Sequence, residues 1–262
     1  MKIVVCIKQV PDTNEVKIDP ATGRLIREGV PSIINHDDKS GIEAALQIKE
    51  DVGGTVTVLC MGPPQADVAL REALAMGCDE AYLLSAREFG GSDTFATAKI
   101  CASALRKIGY DLIITGRQAI DGDTAQVGPQ IAENLNIPQI SYAEEVKVKG
   151  DTVTVKRQYE DRYHIIDAKM PCLLTALSEL ATPRYMHARG IIEAYEKEVK
   201  LMGFEDLKDN FDPADIGIEG SPTNVFKSFG KMAKGAGTIH KDVSPDEAVE
   251  IIIKKMIEKH IL

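Results

Sequence analysis

Short apolar runs alternate with helix-length segments through the first half of this chain, and that rhythm limits the fold more than any other feature. Lys2–Ile7, Thr55–Cys60, Ala81–Leu84 and Leu112–Thr115 are brief aliphatic or β-branched stretches, of the kind buried on both faces of a parallel sheet. The segments between them read as helices. Ser40 followed by Glu43 reads as a capping box opening one of them. Pro64–Met76 is rich in Ala and Leu and stops before Gly77. Ser92-Asp93 opens a third, in which Cys101, Ala104, Leu105 and Ile108 share one face. Alternation of this kind predicts an α/β fold, a doubly wound and mostly parallel sheet with right-handed crossovers.

After Pro138 the period changes. Val146 and Val148, then Val153 and Val155, alternate with polar residues around Gly150-Asp151. This predicts a β-hairpin over residues 145–158 with a type II′ turn, and Cys172–Leu177 reads as a further strand. From about Met202 to Asp242 the chain mixes Gly, Pro, Asp and Lys and reads as an extended arm. Ser244-Pro245-Asp246-Glu247 then starts a final helix with an N-cap, a Pro and a Glu in the right order. Its apolar stripe, Val249, Ile252, Ile253 and Met256, must bury on its own domain or on a partner chain. The expected organisation is an α/β domain over residues 1–200, followed by an arm and helix over 201–262.

Composition closes off several functions. The net charge is −9 over 262 residues, whereas nucleic-acid binding needs clustered Lys and Arg; a soluble partner with positive charge fits better. Ile3–Ile7, followed at once by Lys8, is far shorter than the ~20 residues a membrane span requires and too short for a signal-peptide core. Cys6, Cys60, Cys78, Cys101 and Cys172 are scattered without a CxxC, so reduced thiols in a cytoplasmic core are expected, with no disulfide framework or zinc site. The histidines His36, His164, His187, His240 and His260 show no ligand spacing, so no metal is expected. No GxSxG elbow occurs. Asp37-Asp38 reads as a cap before the Ser40 helix rather than an acid–base pair. With no catalytic dyad in sight, a bound cofactor is expected to carry the chemistry.

Ligands of open parallel sheets bind beyond the carboxyl ends of the strands. Three such ends carry suggestive sequence: Cys6–Thr13, Cys60–Pro63 and, most informative, Gly116–Gly128. In the last, a strand feeds a loop of small residues and the loop feeds a helix. Asp123 is placed to cap that helix, with Gln126 three residues on. Gly122 allows positive φ and close approach of a ligand. N–H groups around Asp123–Val127 suit an anion at the helix N-terminus, with Thr124 offering a hydroxyl and Arg117 a charge. Against this, Asp121 and Asp123 repel a phosphate unless they are tied down. Pro129 kinks a helix that starts at Thr124 or, alternatively, is the first residue of one that starts later. There is no GxGxxG and no GxxxxGK[ST], so neither a standard dinucleotide fingerprint nor a Walker loop is present.

These residues resemble a known family. Gly116-Arg117-Gln118-Ala119-Ile120-Asp121-Gly122-Asp123 with Ala125-Gln126-Val127-Gly128 is similar to the adenine-nucleotide loop of electron-transfer flavoprotein beta subunits. Val10-Pro11-Asp12-Thr13 with Val16-Lys17-Ile18, Glu72-Ala73-Leu74-Ala75-Met76-Gly77, and Pro183-Arg184-Tyr185 agree with it, in order along nearly the whole chain. The resemblance implies a Rossmann-like, adenine-nucleotide-binding fold and a heterodimer with an alpha subunit, which carries the main FAD and on which the 201–262 arm and helix pack. It implies a second nucleotide in this chain, AMP in the simple type and FAD in the electron-bifurcating type. The pocket carried over comprises Cys6, Asn35, Val58, Leu59, Cys60, Met61, Gly116, Arg117, Gln118, Ala119, Ile120, Asp121, Gly122, Asp123, Thr124, Ala125, Gln126 and Val127. Gln118, Thr124 and Gln126 are the expected polar contacts.

By the same resemblance, AMP-type members carry bulkier or acidic groups where this chain has Gly122, Thr124 and Ala125, so the bifurcating type with FAD is expected. NADH is then the electron donor, with Asp12 and Thr13 on the nicotinamide side. Ferredoxin or flavodoxin takes one electron, and an acyl-CoA dehydrogenase takes the other through the alpha-subunit FAD. Recognition of the dehydrogenase falls to residues 183–200, with Arg184, Tyr185, Met186 and Ala188; the small Ala188 departs from the family's bulky anchor, leaving Met186 for that part. Two alternatives stay open: a non-bifurcating beta subunit with structural AMP, and a stand-alone adenine-nucleotide sensor.

Overall fold

The computed structural model describes residues 1–12, 31–223, 235 and 237–262. The chain forms two compact units, one up to residue 226 and one from residue 227. The first unit begins with β1 (Lys2–Ile7), β2 (Gln9–Pro11) and β3 (Ser32–Ile34), then α1 (His36–Val52), β4 (Thr55–Met61), α2 (Asp67–Met76), β5 (Glu80–Leu84), α3 (Thr94–Ile108) and β6 (Leu112–Gly116). It continues with α4 (Val127–Leu135), β7 (Gln139–Lys149), β8 (Thr152–Gln158), β9 (Tyr163–Lys169), β10 (Cys172–Ala176), α5 (Ala188–Glu196), β11 (Val199–Met202) and α6 (Phe204–Leu207). The second unit contains α7 (Pro245–Glu258).

The central sheet runs β11-β5-β4-β1-β6-β10-β7-β8-β9. It is parallel from β11 through β7, with β8 and β9 added antiparallel. This is the doubly wound α/β arrangement that the alternating pattern predicts. Alternate residues of β1 serve opposite faces of the sheet. Ile3, Val5 and Ile7 join Ile42, Leu46 and Ile48 of α1 and Leu70 and Leu74 of α2 in one core. Val4 joins Ile100, Leu105 and Ile108 of α3 and Ile131 of α4 in the other. Helices on both faces leave no polar side for the strands, which is why they read as continuous apolar runs.

The expected face of α3 is confirmed, with Cys101, Ala104, Leu105 and Ile108 all buried and Asp93 capping it by accepting from Ala96 N–H at 3.0 Å. The hairpin pairs Lys149 with Thr152. Gly150 takes φ +61° while Asp151 stays outside the positive-φ set, the signature of a type II′ turn. In the second unit α7 starts as expected: Ser244 Oγ accepts from Glu247 N–H at 3.3 Å and Ser244 N–H donates to Glu247 Oε2 at 2.8 Å.

Two local expectations are corrected. Ser40 does not cap a helix; α1 starts four residues earlier, after Asn35. Ser40 is instead buried inside it, its Oγ accepting from Ala181 N–H at 3.0 Å, while Glu43 binds Arg184. Long-range partners thus claim both members of the apparent capping box. Asp37-Asp38 correspondingly lies in the first turn of α1, where negative charge suits the helix dipole. Part of the segment read as an extended arm is anchored: Leu207 and Ile216 are buried, and Met202, Phe204 and Phe211 pack against the α3–α4 core.

Candidate nucleotide-binding site

The chain runs from β1 to β4 and β5 on one side and returns to β6 on the other side of β1. The carboxyl ends of β1 and β6 therefore flank a topological switch point, where open α/β sheets bind ligands. The residues after those two ends are tied to each other. Asn35, buried at the start of α1, donates from Nδ2 to Gln118 O at 2.8 Å and accepts from Ile120 N–H at 3.1 Å. Its own N–H donates to Lys8 O at 3.0 Å. Asp38 accepts from Lys8 N–H at 2.7 Å and from Gly116 N–H at 2.9 Å.

The loop after β6 makes one helical turn. The N–H groups of Gly122 and Asp123 both donate to Ala119 O, at 3.2 and 2.9 Å. Positive φ falls on Asp123 (57°) and Ala125 (53°), not on Gly122 as expected. A turn of this kind ends on a left-handed residue as a helix does. Asp tolerates that conformation through its short polar side chain, whereas Ala125 carries strain of roughly 1–2 kcal/mol. Gly122 contributes space instead: a Cβ there would meet nothing within 4 Å.

Asp123 does not cap α4, because it is too far before the first residue of the helix, Val127. Its carboxylate accepts from Gln118 Nε2 at 2.5 Å. Asp121, its side chain only 5% exposed, pairs with Lys8 Nζ at 2.6 Å. Lys8 thereby offsets the charge of Asp121, while Gln118 holds the Asp123 carboxylate in place without neutralising it. Pro129 stands third in α4, where a missing N–H costs no intrahelical bond. Among the described residues, no acceptor takes the N–H groups of Thr124, Ala125, Gln126, Val127 and Gly128. A cluster of free N–H groups at a helix start suits an anionic group. Gln126 Oε1 accepts from Thr94 Oγ1 at 2.9 Å, which ties the loop to the start of α3.

The remaining expected residues fall into three sets. Val58, Leu59 and Cys60 lie toward the end of β4 with their side chains buried in the cores on the two faces of the sheet. Met61 lines a small cleft with Lys8, Gln9, Val10, Pro11 and Pro63, and Cys6 is half-buried at the end of β1. Arg117 is directed at Asp37, 3.5 Å away, and its Nε is buried with no hydrogen-bond partner. Asp12 is exposed and its N–H donates to Pro31 O at 2.7 Å; Thr13, Val16, Lys17 and Ile18 lie outside the described residues. Lys8 and Asp38 emerge as contributors that the pattern alone did not single out. Lys8 follows a buried strand at once, a position that can signal a crevice residue, but only the fold brings it to Asp121.

Burial pushes the Asp38 carboxyl up to about 7, against the pull of the Lys8, Asn35 and Gly116 hydrogen bonds. Burial also raises Asp37, partly offset by Arg117. The thiols of Cys6 and Cys60 are pushed up, the latter to about 12.

The segment from residue 183 lies elsewhere on the first unit. Arg184 donates to Glu43 (2.8 and 2.9 Å) and to Glu50 (2.6 Å), so its guanidinium holds the loop to α1. Tyr185 is 94% exposed, and Met186, Ile191, Ile192 and Tyr195 are exposed beside it. Ala188 is the first residue of α5. Among the described residues no group of His, Cys, Asp and Glu is arranged to hold a metal ion, and no helix is long and apolar enough to cross a membrane.

Comparison with known proteins shows the family. The electron transfer flavoprotein domain matches residues 22–206. The electron transfer flavoprotein subunit beta of Clostridium acetobutylicum is 53% identical over 262 residues, covering 100% of both chains. The caffeyl-CoA reductase-Etf complex subunit CarD of Acetobacterium woodii is 52% identical and the acryloyl-CoA reductase electron transfer subunit gamma of Anaerotignum propionicum 50% identical, again over 100% of both chains. The chain belongs to the electron transfer flavoprotein family, among its beta subunits.

Proposed function

We propose that this chain is the beta subunit of an electron-bifurcating electron transfer flavoprotein and holds FAD at the loop after β6. The observation that carries the reading is the run of N–H groups from Thr124 to Gly128 at the switch point, with Asp121 paired to Lys8 and Asp123 held by Gln118. Those N–H groups bind the diphosphate, Asn35 fixes the loop that carries them, and the open space beside Gly122 admits a group larger than AMP. Held there, FAD would supply the two-electron chemistry that takes up a hydride from NADH and the one-electron chemistry that passes electrons on singly. The residues of the pocket position and shield the cofactor and need not act as acid or base. Asp12 lies on the nicotinamide side.

Beta subunits of this family pair with alpha subunits. The half-exposed Val249, Ile252 and Ile253 of α7 support packing of that helix on the alpha chain. One electron goes to ferredoxin or flavodoxin, and the other goes through the alpha-subunit FAD to an acyl-CoA dehydrogenase. The relatives named for caffeyl-CoA and acryloyl-CoA reductases support an acyl-CoA partner, docked at Tyr185 and Met186. Five free thiols among the described residues fit a reducing cytoplasm.

Mass spectrometry of the nucleotides released from the co-purified heterodimer tests the reading. Two FAD per heterodimer are expected, with reduction by NADH alone. One FAD with one AMP, and no bleaching by NADH, refutes bifurcation in favour of the AMP type. Gly122→Asp is expected to weaken the beta site on the order of tenfold by placing a charge beside the diphosphate, while the alpha-subunit FAD stays bound. Equal loss at both sites would place the nucleotide elsewhere.

A further inference from the structure

Asp38 is a buried carboxylate that neither the expected pocket nor the reading above uses. It stands at the start of α1 and reaches out of its own helix. One oxygen takes the N–H of Lys8, just past β1, and the other takes the N–H of Gly116, the last residue of β6. The fit is close: a Cβ on Gly116 would lie 2.1 Å from Asp38 Oδ1. One side chain thus bridges the two strands that border the switch point. Both of its anchors lead directly into site residues. Lys8 carries the amine that compensates Asp121, and Gly116 begins the loop that ends in the free N–H groups of Thr124–Gly128.

We propose that Asp38 is a positioning residue for the nucleotide. By accepting both N–H groups it fixes the spacing between the ends of β1 and β6, and with it the orientation in which the loop meets a phosphate. The inference rests on the nucleotide reading above. A carboxylate suits this task because it accepts at both oxygens. A protonated acid or an amide turns one of those oxygens into a donor facing an N–H, and one anchor is lost.

Several groups surround Asp38. Cys6 and Lys8 approach from β1 and the residue after it, and Cys60 from β4. Asp37, at which Arg117 is directed, and the exposed His36 belong to its own helix. The Cys6 and Cys60 thiols, held up by burial, stay neutral across the neutral range. The exposed His36, two residues before Asp38 on the same helix, serves as the control.

The test uses the heterodimer, co-expressed with its alpha subunit and stripped of nucleotide, with FAD and AMP as separate probes. The readout is beta-site affinity from about pH 6 to about pH 8.5, a range that brackets the Asp38 transition. FAD is the cleaner probe, because its diphosphate is a diester with no proton to gain there. Wild type is expected to bind more tightly as pH rises through about 7. Asp38→Asn is expected to bind on the order of tenfold more weakly, with one charge-assisted anchor gone, and with no pH step. His36→Gln should keep the wild-type profile.

Equal affinity and equal profile for wild type and Asp38→Asn overturn the proposal while leaving the nucleotide reading intact. So does an affinity that falls as pH rises, which would mean direct repulsion of the phosphate rather than positioning. If only AMP binds, the FAD assignment falls and the Asp38→Asn comparison with AMP decides the proposal. If neither probe binds the wild-type beta site, both fall. Should Asp38→Asn fail to assemble, a flat wild-type profile for FAD is enough to overturn it.

Discussion

Truncating Arg184 is expected to destabilise the protein far more than removing the exposed tyrosine next to it. The Arg184 guanidinium contacts both oxygens of Glu43, at 2.8 and 2.9 Å, and its backbone N–H donates to Glu43 Oε2 at 3.1 Å. The Glu43 side chain is 5% exposed, so Arg184→Ala leaves a charge in the interior with Gln47 as its remaining side-chain donor. Removing one partner of a fully buried pair costs about 3–5 kcal/mol. The Arg184 side chain is 31% exposed, and water can follow the truncation, which lowers the figure to roughly 2–3 kcal/mol. The contact with Glu50 adds little, because that carboxylate is exposed.

The assay is denaturant unfolding of the heterodimer across a double-mutant cycle with Glu43→Gln. The double mutant should be at least as stable as Arg184→Ala, since the orphaned charge is gone, with a coupling of about 1–2 kcal/mol. The sign with pH follows from Glu43. Burial raises its carboxyl, but the hydrogen bonds from Arg184 and Gln47 prevail and hold it below 4.5. Its stabilisation is present above that ordinary value and is lost as pH falls through the depressed one, so the cost of Arg184→Ala should shrink as the medium turns acid. Tyr185→Ala, at 94% exposure, should change stability by less than about 0.5 kcal/mol. An Arg184→Ala cost below about 0.5 kcal/mol, additive with Glu43→Gln, would refute the reasoning.

Two further outcomes follow from groups around the switch point. A Cβ at Gly128 would lie 2.5 Å from Thr115 Oγ1 and 2.9 Å from Thr175 Cγ2, so Gly128→Ala should push the start of α4 outward. Calorimetry should show about 1–3 kcal/mol of lost stability, with weaker nucleotide binding as the N–H groups shift. For Asp38 the folded value of about 7 lies above the ordinary 3.8, so its stabilising form is the protonated one. Stability should fall as pH rises between those values, by roughly 2–3 kcal/mol from about pH 5 to about pH 8. Unfolding of wild type against Asp38→Asn over that range isolates this contribution, and a constant difference would show that Asp38 does not titrate there.

The sheet was legible in the sequence because its strands are buried on both faces. Val4-Val5, Val56–Cys60 and Leu112–Ile114 have no polar side to disguise them. The hairpin was legible for the opposite reason: its alternating valines and Gly150-Asp151 record one buried face and one turn. The start of α1 was not legible, because Ser40 and Glu43 satisfy a local rule while their actual partners, Ala181 and Arg184, lie about 140 residues away. Local patterns report helix caps only when tertiary partners do not outbid them. In the loop after β6, the sequence pointed to a candidate site but misassigned the roles of its parts. Gly122 is the natural candidate for a left-handed residue, but the turn closes on Ala119 O and throws that conformation onto Asp123 and Ala125. Lys8 and Asp38 were obscured because each matters through a residue more than 70 positions away.

That last point bears on how an acidic protein can prepare a site for a phosphate. A net charge of −9 and aspartates at positions 121 and 123 argue against an anion when the chain is read linearly. Coulombic effects depend on the nearest few ångströms, since solvent and salt screen the rest within about 8–10 Å. Within that radius the loop contributes free N–H groups, Lys8 takes up Asp121, and Gln118 takes up Asp123. Asp38, buried beside the switch point, gives its lone pairs to two backbone N–H groups. The charge balance that matters is set at the junction of β1, α1 and β6, and it is the fold that assembles it.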